Sequence, residues 1–347
     1  MTRGGAFMPA AIMAATGAVV VAASAVAAPK AALAAWLAMA LFVTAIPAGA
    51  MALLLTAQFY PGKWTALTGD ALRRAAATMP AAALVMAPVL LLAAALYGWG
   101  EDIGARRGLW LEPEIFLLRG ATYLALWWLF AWLAPPISEV RQGLASAGLL
   151  VYAVTASLAG MDWVISLQAE AYSAVFGLIF IAHQMLAGLA FAVLVALARQ
   201  PVDAAAARGL GNMLLGGLML WLYLEFMQYL VAWSGDLHGH TAYYLKRAEG
   251  GWAAVIWFIG LAGGALPFLA LLWRRVRGSV RALVAIAALI LFTRALEACW
   301  WVLPLYGPGW VLGPLTAAAF AGGAGLLLAA WLRPGRRRAT AGEKADG

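Results

Sequence analysis

The chain holds a single cysteine, Cys299, so it can form no internal disulfide and cannot ligate an iron–sulfur cluster alone. Histidine is nearly as scarce. His183, His238 and His240 include no helical pair at the spacing of a haem or zinc site, so the reading is that this chain binds no metal. Charge is sparse as well, at 11% of residues against 65% hydrophobic, and no polar stretch is long enough to bury a core of its own. These shortages exclude a separate soluble domain and leave an all-α, polytopic integral membrane protein. The net charge of +8 does not argue for nucleic acid, because the bases sit at the ends of apolar runs, where membrane topology accounts for them.

What is present in quantity is apolar helix. A hydrocarbon core about 30 Å thick takes roughly 20 apolar helical residues, and ten segments meet that length. They are 7–28, 33–57, 78–98, 115–134, 144–166, 171–198, 209–233, 252–273, 281–303 and 310–332. The first, preceded only by Arg3 and followed at once by a second span, reads as an uncleaved helix rather than a signal peptide. Residues 1–332 thus form one ten-helix domain, and 333–347 reads as a basic, disordered cytoplasmic tail. With ten spans, both termini and the even-numbered loops share a face. That face collects sixteen Lys and Arg residues against five on the other, which places both termini in the cytoplasm. Trp99, Trp110, Trp163, Trp233, Trp252, Trp300, Trp301 and Trp310 fall near predicted outer ends, as an interfacial belt would. Gly209, Gly211, Gly216, Gly217, Gly260, Gly263 and Gly264 suit close helix packing.

Ionisable residues inside spans are costly enough to be functional candidates. They are Arg119, Asp162, His183, Glu225, Arg294 and Glu297, with Gln184 beside His183. Arg294 and Glu297 are i,i+3 neighbours and can pair; Glu225 shares a face with Gln228 and has Trp221 one turn before it. At 1.5 Å per residue, Glu297 lies about 9 Å and Glu225 about 12 Å below the outer ends of their spans. No base is near Glu225 in sequence, so it needs a partner on another helix, a wet cavity, or a proton of its own.

The most polar ordinary stretch is WSGDLHGHTAYYLKRAEGGW, residues 233–252. Topology places it outside, between the seventh and eighth spans. Its HGH spacing is not a metal pattern, so Asp236, His238, His240, Lys246 and Arg247 read as a docking surface for partner proteins.

Five stretches together carry a family resemblance: GKWTALTGDALRRAAATMP (62–80), EIFLLRGATYLALWWLFAW (114–132), MDWVISLQAEAYSAVFGLIF (161–180), WLYLEFMQYLVAWSGDL (221–237) and YYLKRAEGGW (243–252). In order, over about residues 30–305, the chain resembles the NrfD/polysulfide-reductase-type membrane subunits, closest to the ActF type of alternative complex III, a quinol:cytochrome c oxidoreductase. The resemblance implies paired four-helix bundles plus two further helices in a bacterial inner membrane. It implies no cofactor on this chain, a quinone or quinol nearby, a sister NrfD-like subunit, and a periplasmic iron–sulfur protein. Haem c belongs, on this pattern, to cytochrome subunits. Asp162 matches the family's outer-end aspartate, Arg294 a ninth-span arginine, and Glu297 a carboxylate position; Glu225 and His183 have no counterpart in the pattern.

Residues and resemblance together lead to an accessory subunit that carries protons and positions partners. The proton-path candidates are Asp162, Glu225, Arg294, Glu297 and His183, and Arg119 with Asp162 marks the candidate quinone vicinity. Two other classes compete. A structural adaptor would use the same polar groups only for packing. A secondary transporter would break its helices in matched pairs, whereas Pro47, Pro88 and Pro267 show no such pairing.

Overall fold

The computed structural model describes residues 3–97, 109–136, 139–168, 171, 173–235 and 238–332, and among these it contains helices and no strand. In chain order they are α1 (Arg3–Ala27), α2 (Pro29–Thr56), α3 (Lys63–Ala76), α4 (Met79–Leu91), α5 (Ala93–Leu96), α6 (Pro113–Leu133), α7 (Gln142–Trp163), α8 (Phe176–Arg199), α9 (Ala204–Ser234), α10 (His238–Lys246), α11 (Trp252–Phe258), α12 (Leu266–Leu272), α13 (Arg274–Arg277), α14 (Val280–Val302) and α15 (Gly309–Leu332). Among the described residues, nine helical stretches are long and apolar enough to cross a membrane, or ten if α3 and α4 count as one bent span. The chain is a multi-pass, all-α membrane protein.

Helix α2 is the central pillar. It is buried almost from end to end and packs against α1, α3, α4, α6, α7, α8, α14 and α15. Its sequence, rich in alanine with Gly49 about two turns before its end, explains why so many neighbours fit around it. In lipid there is no hydrophobic gain between apolar helices, so close van der Waals approach through small residues holds them together. Gly49 is where α2 meets α8: a Cβ there would overlap the backbone carbonyl of Gln184. Gly188, further along α8, answers it, since a Cβ there would lie 2.6 Å from the Ala50 nitrogen.

The chain's ends of helices sort into two sets. At one end, Arg73 reaches the carbonyls of Ala134 and Pro135, Arg199 pairs with Asp70 at 3.3 Å, and Gln200 donates to the Leu67 carbonyl. Gly278 lies against Arg208 and Ala204 at this same end. Three of the arginines assigned to one face, Arg73, Arg199 and Arg208, therefore lie at one end of the bundle. At the other end, Tyr97 donates to the Trp163 carbonyl, Tyr306 to the Leu96 carbonyl, and Trp252 to the Gly307 carbonyl.

Several boundaries depart from the sequence expectation, each for a physical reason. The third span, expected at 78–98, is preceded by a second helix: α3 and α4 meet at a 42° bend. The charges of α3 (Lys63, Asp70, Arg73, Arg74) hide it from a hydropathy reading, but they lie on one side, while Thr65, Thr68, Ala71, Leu72 and Ala75 are buried. Helix α8 begins at Phe176 rather than 171, because the Ser173 hydroxyl accepts from the Val175 and Phe176 amides and caps it there. Helix α9 begins earlier than expected, with Asp203 accepting from the Ala206 amide at 2.7 Å. The eighth span is not a uniform helix: residues Ile259–Ala265 form a π-helical segment between α11 and α12. Trp163, Trp252, Trp300 and Trp301 are buried in the bundle instead of forming a belt, whereas Trp110 and Trp233 are exposed. Of the glycines expected to pack closely, Gly209, Gly216 and Gly260 face open space, while Gly211, Gly217, Gly263 and Gly264 meet neighbours. The 333–347 tail lies outside the described residues.

The Gly49 crossing gives a direct test. Gly49→Ala should destabilise the protein by about 1–3 kcal/mol through overpacking. Gly209→Ala, into open helical surface, should be neutral or slightly stabilising. Denaturation midpoints of the purified protein in detergent check both; equal midpoints for the two variants would contradict this account of the α2–α8 contact.

Candidate functional site

Four of the ionisable residues singled out in the sequence come together between α8, α9 and α14. Glu297 of α14 is 1% exposed and lies at the centre. Its Oε2 accepts from the Arg294 guanidinium one turn before it, and from His183 Nδ1 of α8 at 2.5 Å. Its Oε1 accepts from the Trp221 indole of α9 at 2.8 Å. An ionised carboxylate only accepts, so in this arrangement the imidazole proton facing it is on Nδ1. Glu225, one turn beyond Trp221, shares a side-chain hydrogen bond with Glu297. A hydrogen bond between two carboxyls needs a proton on one of them. With both Glu297 oxygens already accepting, Glu225 is the natural donor.

The surroundings enforce this geometry. Arg294 lies with its guanidinium carbon 3.7 Å from the centre of the Trp221 ring, so the aromatic face carries part of the cation's stabilisation. Its Nε and Nη2 have no hydrogen-bond partner among the described residues, and neither does His183 Nε2. The His183 ring sits 4.6 Å from the Trp301 ring. The π-helical segment borders the cluster: Gly263 abuts Thr293, next to Arg294, and Gly264 abuts Trp221 and Leu222. An extra residue in the helical turn brings the backbone close here, a common feature of π-bulges near functional groups. Gln184, following His183, accepts from the Tyr152 hydroxyl at 2.8 Å on the side of α8 that faces α7.

Asp162 belongs to a separate site. Arg119 grips it with two bonds of 2.9 Å, the Trp110 indole donates at 3.0 Å, and the Tyr123 hydroxyl donates at 3.0 Å. Arg119 also stacks over the Trp110 ring at 4.0 Å. Sequence reasoning joined Arg119 with Asp162, and the structure does bring them together. It does not bring Asp162 to the other proton-path candidates. An aromatic wall of Tyr123, Trp163, Phe180 and Trp301, each ring within 6.3 Å of the next, stands between Asp162 and His183. With four donors on two oxygens, Asp162 has little capacity left for exchange and staples the short 3-10 turn Leu109–Leu111 and α6 to α7. An apolar groove of about 550 Å³ between α4 and α6 does not reach this site by the Leu117–Ala121 face. Those residues are two positions from Arg119, on the opposite side of the helix.

The stretch 233–252 also needs correction. Residues His238–Lys246 form helix α10 rather than a loop. Arg247, expected on a docking surface, is 0% exposed. Its guanidinium donates to the Trp301 carbonyl at 2.9 Å and to Gln168 Oε1 at 2.9 Å, and lies 3.7 Å from the Tyr243 ring centre. Burial lowers its pKa from the ordinary arginine value. Lys246 remains at the surface, paired with Glu249 at 3.2 Å. Asp236 lies outside the described residues, as do the side chains of His238 and His240.

Sequence reasoning missed Tyr243 and Tyr244 of α10, which lie within electrostatic reach of Glu225. The i,i+4 spacing of Tyr243 and Arg247 was the available signal. Among the described residues no group of three His, Cys, Asp or Glu side chains converges as a metal site requires. No protein-family model matches the chain, and no curated protein does.

The cluster's energetics can be tested by charge balance. Removing one partner of a buried ion pair strands the other, at about 3–5 kcal/mol, whereas removing both can be nearly neutral. Arg294→Met and Glu297→Gln should each destabilise strongly, and the double variant should recover most of the loss. Unfolding midpoints that simply add would contradict the pairing.

Proposed function

We propose that the chain is an accessory membrane subunit of a quinol:cytochrome c oxidoreductase of the alternative complex III kind, and that its own chemistry is proton transfer. The observation that carries this reading is the run from part-buried Glu225 to buried Glu297 and His183, held by Arg294 and Trp221 between three helices. Each member can hold or pass a proton, and oxidation of a quinol releases protons that must leave a low-dielectric interior. Arg294 balances the Glu297 carboxylate, so the cluster is neutral while Glu225 holds its proton, and loss of that proton sets two carboxylates against one guanidinium. The NrfD-like motifs supply the rest of the reading. They favour paired four-helix bundles, cytoplasmic termini and a bacterial inner membrane. They also favour a sister NrfD-like subunit, a periplasmic iron–sulfur protein and c-type cytochromes as partners.

On this reading quinone chemistry and electron carriers sit outside this chain, with the Arg119–Asp162 site the candidate vicinity for quinone. The end of the bundle that carries α10, with exposed Lys246, Trp233 and Tyr229, faces the redox partners. A second reading, a purely structural adaptor, draws on one observation: Asp162 is saturated with hydrogen bonds and acts as a staple. It accounts less well for Glu225, whose second carboxyl adds no packing advantage beside Glu297.

Purification of the tagged chain from its native membrane in mild detergent tests the assignment. Haem c absorbance and an iron–sulfur protein should co-elute with it. Elution of the intact, folded chain without haem would reject membership of such a complex.

A further inference from the structure

A carboxyl pair that shares one proton needs something to decide which member holds it. Hydrogen bonds donated to an ionised carboxylate favour that form, so the member with more fixed donors keeps the charge. Glu297 has three such donors: Arg294 and His183 on Oε2, and Trp221 on Oε1. The indole N–H can only donate, and at 2.8 Å it fixes Oε1 as an acceptor. Trp221 also touches the other charge. Its ring centre lies 3.7 Å from the guanidinium carbon of Arg294, within reach of cation–π attraction. One side chain therefore serves both halves of the ion pair, N–H to the anion and π face to the cation, and it stands one turn before Glu225 on α9. The π-helical segment limits where the ring can go: a Cβ on Gly264 would lie 3.0 Å from Trp221 Cζ3 and 2.7 Å from Leu222 Cδ2. Core packing accounts for a buried ring, and phenylalanine would serve it as well. It does not account for an N–H on a carboxylate and a face on an arginine.

We propose that Trp221 is the positioning residue that keeps Glu297 ionised and leaves the single proton of the pair on Glu225. This rests on the proton-transfer reading above and deepens it. Part-buried Glu225 is the carboxyl that exchanges, and buried Glu297 with Arg294 is a standing ion pair. Trp221 takes no proton itself. It acts through Glu297, by holding Oε1 in a hydrogen bond that is stronger to the ionised carboxyl than to the neutral one. It acts through Arg294 as well, by holding the guanidinium where Nη1 meets Oε2. Without the indole N–H the two carboxyls come closer in proton affinity, and the proton is divided between them.

The test uses the full chain in lipid vesicles and follows the carboxylic-acid C=O stretch by infrared spectroscopy as the pH is lowered. Near neutral pH, Glu225→Gln should abolish the band of the shared proton. In that background the Glu297 band should grow in only on acidification, and it is identified by its absence once Arg294→Met and Glu297→Gln are added. Trp221→Phe keeps an aromatic ring beside Arg294 and removes the N–H. It should move the Glu297 midpoint up by about 1–2 pH units, the scale of one hydrogen bond to a charged group. If Trp221→Phe lowers the melting temperature, 3-benzothienylalanine at position 221 keeps the two-ring shape, lacks the N–H, and must give the same shift. A midpoint unmoved by either replacement, with the neutral-pH band still lost in Glu225→Gln, overturns the positioning role and leaves the proton on Glu225. Survival of that band in Glu225→Gln overturns the assignment of the proton, and the part of Trp221 with it. The proton-transfer reading itself is decided separately, by the turnover of Glu225→Gln.

Discussion

Glu297 is a carboxylate placed where a carboxylate is expensive, and the bundle is arranged around making it affordable. One oxygen takes Arg294 and His183, the other takes Trp221, and Glu225 adds a proton-bearing carboxyl alongside. These partners come from α8, α9 and α14, so the charge pins three helices in one relative rotation. The small-residue contacts serve the same end. Gly49 and Gly188 let α8 lie close on α2, which sets the height of His183. Gly263 and Gly264 bring the π-helical segment onto Thr293 and Trp221. In lipid, where apolar side chains gain nothing by meeting one another, such polar and small-residue contacts decide helix register.

The two polar sites behave differently although both pair an arginine with a carboxylate. At Asp162 every lone pair has a donor, two of them from a single rigid guanidinium, and this suits a fixed joint. At Glu297 the neighbours include groups that can themselves gain or lose protons, and His183 Nε2 has no partner among the described residues. That contrast, rather than burial alone, separates a staple from a candidate pathway. The aromatic wall between them keeps the two from communicating by short hydrogen bonds.

Much of this was legible in the sequence, for reasons that mark where legibility ends. Long apolar runs made the spans of α2, α6, α7, α14 and α15 plain, because in a membrane hydropathy and span are nearly the same quantity. The i,i+3 spacing gave the Arg294–Glu297 pair, since both lie on one helix. What crosses helices was not readable: that Glu225 meets Glu297, that His183 points the same way, and that Asp162 does not. Amphipathic α3 escaped because its charges share a helix with a buried face, and α10 escaped because glycines and histidines in a polar stretch look like a loop. Arg247 looked like surface for the same reason; only the fold shows the Trp301 carbonyl waiting for it.

The central claim is that the Glu225–Glu297 pair carries protons released by quinol oxidation. Proton release coupled to cytochrome c reduction, measured with the assembled complex in vesicles, tests it most directly through Glu225→Gln. The account predicts a complex that assembles with its haem complement but turns over, or releases protons, markedly more slowly than the native one. Native turnover with native proton stoichiometry in that variant would contradict it.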